Sequence, residues 1–217
     1  MTLRGELPSG GRGSGALAVG AATGLRDVLK DASVLKAIRG ADRLQPGDRP
    51  KRGVTLKAAE ATRLLRSIIH FVADVPADSS PIVVWEHEGS ELWVDISTTA
   101  LTCIPGVIKV AVKVGCDQLP APAVITVPFG VGTPEAPTGL VMSSLSRLDG
   151  PDVVTGRWTA ALTAYAWEAI LELARRMCAE LGKDAAGLPL IPGSIAAGSQ
   201  LLVVQPMARN DLSGLRR

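Results

Sequence analysis

Apolar residues recur at helical spacing in three stretches of the chain and at strand spacing in four others. Leu25, Val28, Leu29, Ala32 and Leu35 keep to one face of a 3.6-residue period, which predicts a helix over 24–39 ending at Gly40. Pro46-Gly47-Asp48 and Pro50 break the pattern. A second helix is predicted over 56–73, with Thr55 as its N-cap and Ala61, Leu64, Leu65, Ile68, Ile69 and Val72 as its stripe. The third, over 156–181, carries Trp158, Leu162, Tyr165, Ala169, Leu173 and Met177, and Gly182 closes it.

Between the second and third helices the period falls to two. Strands are predicted over 82–87 and 92–97, joined by Glu88-Gly89-Ser90-Glu91 with Gly-Ser at the loop positions of a type II′ turn. That register puts Val83, Trp85, His87, Leu92, Val94 and Ile96 on the core face, and Val84, Glu86, Trp93 and Asp95 on the other. Strands over 106–114 and 123–128 follow, the second placed at an edge by Pro120, Pro122 and Pro128. Residues 130–151, rich in Gly, Pro and Ser, read as a long loop with one short strand over 139–144. Residues 185–208 contain no charged side chain, so this segment either completes the sheet or lies against another subunit.

These elements make an α+β fold: a helical basic N-terminal region, a mostly antiparallel sheet of four to six strands, and one long helix packed on it. The expected organisation is a flexible Gly-rich arm over 1–22, a basic helical extension over 23–53, a single domain over 54–205 and a basic tail over 206–217. Hydrophobic residues make up 47% of the 217 positions, too many for a disordered chain. No apolar stretch of membrane-spanning length is free of Pro and Gly, and the N-terminus lacks a signal-peptide core, so neither membrane insertion nor signal-directed secretion is expected. Three cysteines without a CxxC pair exclude a disulfide scaffold and point to a cytoplasmic or virion location. Aromatic residues at 3% are too few for a base-stacking platform.

Charge changes the picture more than composition does. Residues 36–66 carry a net +6, whereas residues 67–208 carry −7. Arg39, Arg43, Arg49, Lys51, Arg52, Lys57, Arg63 and Arg66 form the candidate binding set, directed at nucleic acid or at the acidic body of a neighbouring subunit. The bland alternative is a pair of solvated amphipathic helices.

Catalytic patterns are weak by comparison. His70 lies about 140° from its helix's apolar stripe and is expected in solvent. His87 stands between Glu86 and Glu88, but alternation turns it away from both. Cys103, before Ile104-Pro105, could be exposed but has no nearby His or cationic group to lower its pKa, and Cys178 is expected to pack within its helix. Ser143-Ser144 lacks a nucleophile elbow, and Gly10–Gly15 meets neither phosphate-loop pattern. Gly130–Pro134 has the glycines of an anion nest, though such loops are usually turns. No cofactor, metal or catalytic residue is therefore expected. The reading is a self-assembling structural protein, a homo-oligomer such as a coat, shell or tail component of a virus-like particle. The alternatives are a nucleic-acid or acidic-partner binding module, and an enzyme with an unsignalled site in the 128–140 loop.

Overall fold

A computed structural model describes residues 53–73, 75–76, 78–140 and 147–208. The predicted helix over 24–39, the flexible arm and the tail beyond Ala208 lie outside them. The described chain is α+β, with two helices and seven strands in two antiparallel sheets. In chain order the elements are β1 (Val54–Lys57), α1 (Ala58–Val72), β2 (Ile82–His87), β3 (Ser90–Ile104), β4 (Gly106–Cys116), β5 (Ala123–Gly132), α2 (Asp152–Leu181), β6 (Ile191–Gly198) and β7 (Leu201–Met207). One sheet has the order β2-β3-β4-β5 and the other β1-β7-β6, in place of the single sheet expected.

The N-terminal boundary of α1 differs from the expectation at Thr55. That residue pairs with Val203 in β1, and the helix begins after Lys57, whose N–H donates to Glu60 Oε2 at 3.1 Å. Val54, Thr55 and Leu56 alternate between buried and half-buried, and β-branched residues suit that pleat. Gly53 permits the close pairing: a Cβ there would meet Val203 Cγ1 at 2.8 Å.

The four-stranded sheet buries one face. Ile108, Val110, Val112 and Val114 of β4 and Ile125, Val127, Phe129 and Val131 of β5 point into the core at period two. The β2–β3 turn is at Glu88-Gly89, both with positive φ (51° and 73°), which is the pattern of a type I′ turn and not the predicted II′. A bulge between Val83 and Trp85 then inverts part of the predicted facing. Val84 is buried, while Val83 sits opposite Trp93 on the outer face.

A larger irregularity lies in β3. Asp95 pairs with Lys113 and Ala100 with Ala111, so three extra residues are accommodated on β3. This odd insertion turns Leu101 and Cys103 inward; unbroken alternation from Val94 would have turned Ala100 and Thr102 inward instead. Side chains hold the bulge. Thr98 Oγ1 donates to Asp95 O at 2.7 Å and accepts from Lys113 N at 2.9 Å.

Beyond Val94, β3 has outrun β2, and α1 takes the place of the missing strand. Thr62 Oγ1 accepts from Leu101 N (2.9 Å) and donates to Leu101 O (3.3 Å), while Arg66 Nε donates to Thr99 O (2.7 Å). Further along, Gln200 N donates to Cys103 O at 3.0 Å. The edge's backbone groups are thus satisfied by a helix and a turn, as buried polar groups must be.

Pro151 opens α2 four residues earlier than predicted, its carbonyl accepting from the N–H groups of Val154 and Thr155. The expected stripe is buried at Trp158, Leu162, Ala169, Leu173 and Met177. This helix packs on α1, β5, β6 and β7. The uncharged segment forms the β6–β7 hairpin, turning at Ser199-Gln200, with Gln200 at φ 57°. Ser194 through Gly198 are buried one after another, because β6 runs between α2 on one side and β4 and β5 on the other. A strand covered on both faces needs no polar alternation. Its lack of charge is therefore accounted for within its own chain.

Candidate functional site

Three of the eight candidate basic residues, Lys57, Arg63 and Arg66, fall among the described residues. Arg39, Arg43, Arg49, Lys51 and Arg52 lie outside the described residues. Lys57 and Arg63 are exposed, at the start and on the outer side of α1. Arg66 is half-buried and spends its guanidinium on Thr99 O, so its role is to hold β3. Among the described members of the set, Lys57 and Arg63 are thus at the surface, while Arg66 is bonded to β3.

The expectation that His70 is in solvent is overturned, and Cys103 is not exposed. His70 is buried, at 7% exposure. Val75 N donates to His70 O at 3.1 Å at the end of α1, and the Pro76 backbone and Asp78 come near the imidazole. Burial depresses its pKa below 6.5, partly offset by a hydrogen bond to the Pro76 backbone and by Asp78, and Nδ1 has no partner. Cys103 is fully buried beneath the sheet, and desolvation pushes its thiol up to about 12. Cys178 packs in α2 as expected, its thiol likewise raised to about 12.

His87 is exposed at the hairpin tip, 3.9 Å from Glu88. Arg157 of α2 clamps this tip, with Nη2 donating to His87 O at 2.8 Å and lying 3.5 Å from Glu88. In the 128–140 region, β5 runs as far as Gly132, and Thr133 and Ala136 bond to each other's carbonyls in a turn. Gly132, at φ 73°, lies so close to this turn that a Cβ would meet Ala136 O at 2.5 Å. Ser143-Ser144 lies outside the described residues. Among the described residues, no three His, Cys, Asp or Glu side chains converge as a metal site, and no helix is long and apolar enough to cross a membrane.

The outer face of the four-stranded sheet gathers the most distinctive surface chemistry. Glu91, Trp93 and Asp95 stand at alternate positions of β3 and so share this face. Across the strands, Glu86 is opposite Glu91, Val83 opposite Trp93 and Lys113 opposite Asp95. Trp93 is 37% exposed, and its Nε1 donates to Glu91 Oε2 at 2.9 Å. It rests directly on β4, where a Cβ at Gly115 would lie 3.1 Å from its Cε3. Beside it is an open cleft of about 190 Å³ between Pro81, Trp93, Asp95, Lys113 and Pro122. The hydroxyls of Ser80 and Ser97 (2.6 Å each) and Ser97 N (3.1 Å) donate to Asp95 Oδ1. Together with Lys113 they hold this carboxyl below the usual range, so it is ionised at neutral pH.

Sequence reasoning placed Glu86, Trp93 and Asp95 on one face, yet did not single out Trp93. The available signal was the acid–x–aromatic–x–acid spacing on a solvated strand face. No protein-family model, no curated protein and no solved structure matches this chain.

Proposed function

We propose that the protein is a self-associating structural protein, of the kind that builds a coat, shell or tail, in which the basic segment of one copy contacts the acidic body of the next. The observation that carries this reading is the separation of charge sign along the chain, +6 over 36–66 against −7 over 67–208. Opposite fields on two parts of one chain favour head-to-tail association between copies and steer their encounter. The exposed acids Glu86 and Glu88 at the β2–β3 hairpin supply part of the receiving surface. The uncharged 185–208 segment adds little to the case, because most of its β6–β7 hairpin is buried by its own chain.

A second reading, contact with nucleic acid, is favoured by the make-up of the segment. Arginine outnumbers lysine within it, and the guanidinium fork suits phosphate. Light scattering of the purified full-length chain over micromolar concentrations, before and after nuclease, tests both. Self-association predicts a mass several times 22.5 kDa that nuclease leaves unchanged. A monomer at every concentration refutes it, and a mass that collapses on nuclease treatment selects the second reading.

A further inference from the structure

On the self-association reading, we propose that Trp93, with Glu86, Glu91 and Asp95 around it, is an arginine-receiving face that takes residues 36–52 from a second copy of the chain. The face has the chemistry of such a receptor. Carboxylates stand two residues to either side of an exposed indole on the same strand, and a third stands opposite the first. A guanidinium stacked on tryptophan is attracted by the ring's quadrupole, and its fork can bind a carboxylate at the ring's edge at the same time.

The electrostatics of the described residues also leave room for a cation. Glu86 and Glu91 are directly opposed across β2 and β3, an arrangement that repels. Among the described residues, no Lys or Arg nitrogen lies within 4.0 Å of either carboxylate. Lys113 opposes Asp95, so three carboxylates around the indole stand against one ammonium. The next lysine on this face, Lys109, is four residues further along β4, roughly 13 Å away at strand rise.

Within the chain the complementary charge lies in residues 36–52. Lys36, Arg39, Arg43, Arg49, Lys51 and Arg52 there face only Asp42 and Asp48. Pro46 and Pro50 disfavour helix and bias their preceding residues towards extended backbone, which can lie along a sheet face. The fold argues for a second copy as the source. Gly53 leads into β1, which belongs to the layer covering the buried face of the four-stranded sheet. Trp93 is on the opposite face. Arg49, Lys51 and Arg52 are at most four residues from Gly53, a reach of about 14 Å that ties them to the start of β1, on the layer away from Trp93.

The test is a reciprocal charge swap in the full chain, read by analytical ultracentrifugation. One variant carries Glu86→Lys and Glu91→Lys, and the other carries Arg49→Glu, Lys51→Glu and Arg52→Glu. Each alone should weaken association by about tenfold or more, since several exposed charge and stacking contacts are lost together. Mixing the two should restore it, because the first variant's face then meets the second's segment. Trp93→Ala, which leaves every charge in place, should weaken association comparably. Unchanged circular dichroism in each variant shows that the sheet is intact. If both swaps associate like the wild type, the face is not the receptor, although the self-association reading stands. If each swap is impaired but mixing restores nothing, the pairing proposed here is refuted. A wild type that is monomeric throughout removes both.

Discussion

Replacing Thr62 by valine tests whether α1 substitutes for a strand beside β3. The change keeps the side chain's shape and removes only the hydroxyl that bonds both backbone groups of Leu101, at 2.9 and 3.3 Å. Leu101 is 4% exposed, so its N–H and C=O have little water to turn to. An unpaired buried backbone group costs about 1–3 kcal/mol. The 3.3 Å bond is the weaker of the two, and Thr62 itself is half-buried, so the expected loss is roughly 2 kcal/mol in all. For a protein of this size that corresponds to a fall in Tm of about 4–8 °C. Thr and Val have similar helix propensities, so the helix itself contributes little to the difference. Urea unfolding followed by circular dichroism should show a lower midpoint with an unchanged slope. Amide exchange at Leu101 should accelerate in step. Thr62→Ser, which keeps the hydroxyl, should lose less than the valine variant. A valine variant within about 0.5 kcal/mol of wild type, or a serine variant equally impaired, would refute the reasoning.

Two further outcomes follow from buried titratable groups. The folded state holds the pKa of His70 below 6.5, so the unfolded chain binds the proton more readily. This group therefore has no effect on stability at pH values above about 6.5 and lowers it as pH falls from there through the depressed folded value. His70→Gln should have a flatter dependence of the urea midpoint on pH between 7 and 5 than the wild type; parallel curves would count against it. Cys103, Cys116 and Cys178 are all buried, so a thiol reagent at pH 8 should label none in native protein and all three in urea. Rapid labelling of one thiol per native chain would contradict that burial.

Local patterning determined most of the elements. Both described helices, the β2–β3 hairpin and the pair β4–β5 follow from apolar residues at period 3.6 or 2, because the period of burial is a property of the backbone itself. Trp93 and Asp95 belong to this class, since alternation sets both on one side of β3, whereas Glu91 joins them because β3 begins at Ser90, two residues earlier than predicted. Only tertiary structure decided the rest. The four residues of β1 acquire their identity from β7, almost 150 positions away, and no window around Val54 contains that partner. The bulges at Val84 and at 96–99 reverse which residues face inward, and they depend on the lengths of neighbouring strands and on where α1 crosses β3. His70 sits off its helix's apolar stripe yet is buried, with Pro76 and Asp78 of the chain after α1 near its ring. Helical period describes one face of an element; what covers the other face is set by elements distant in sequence.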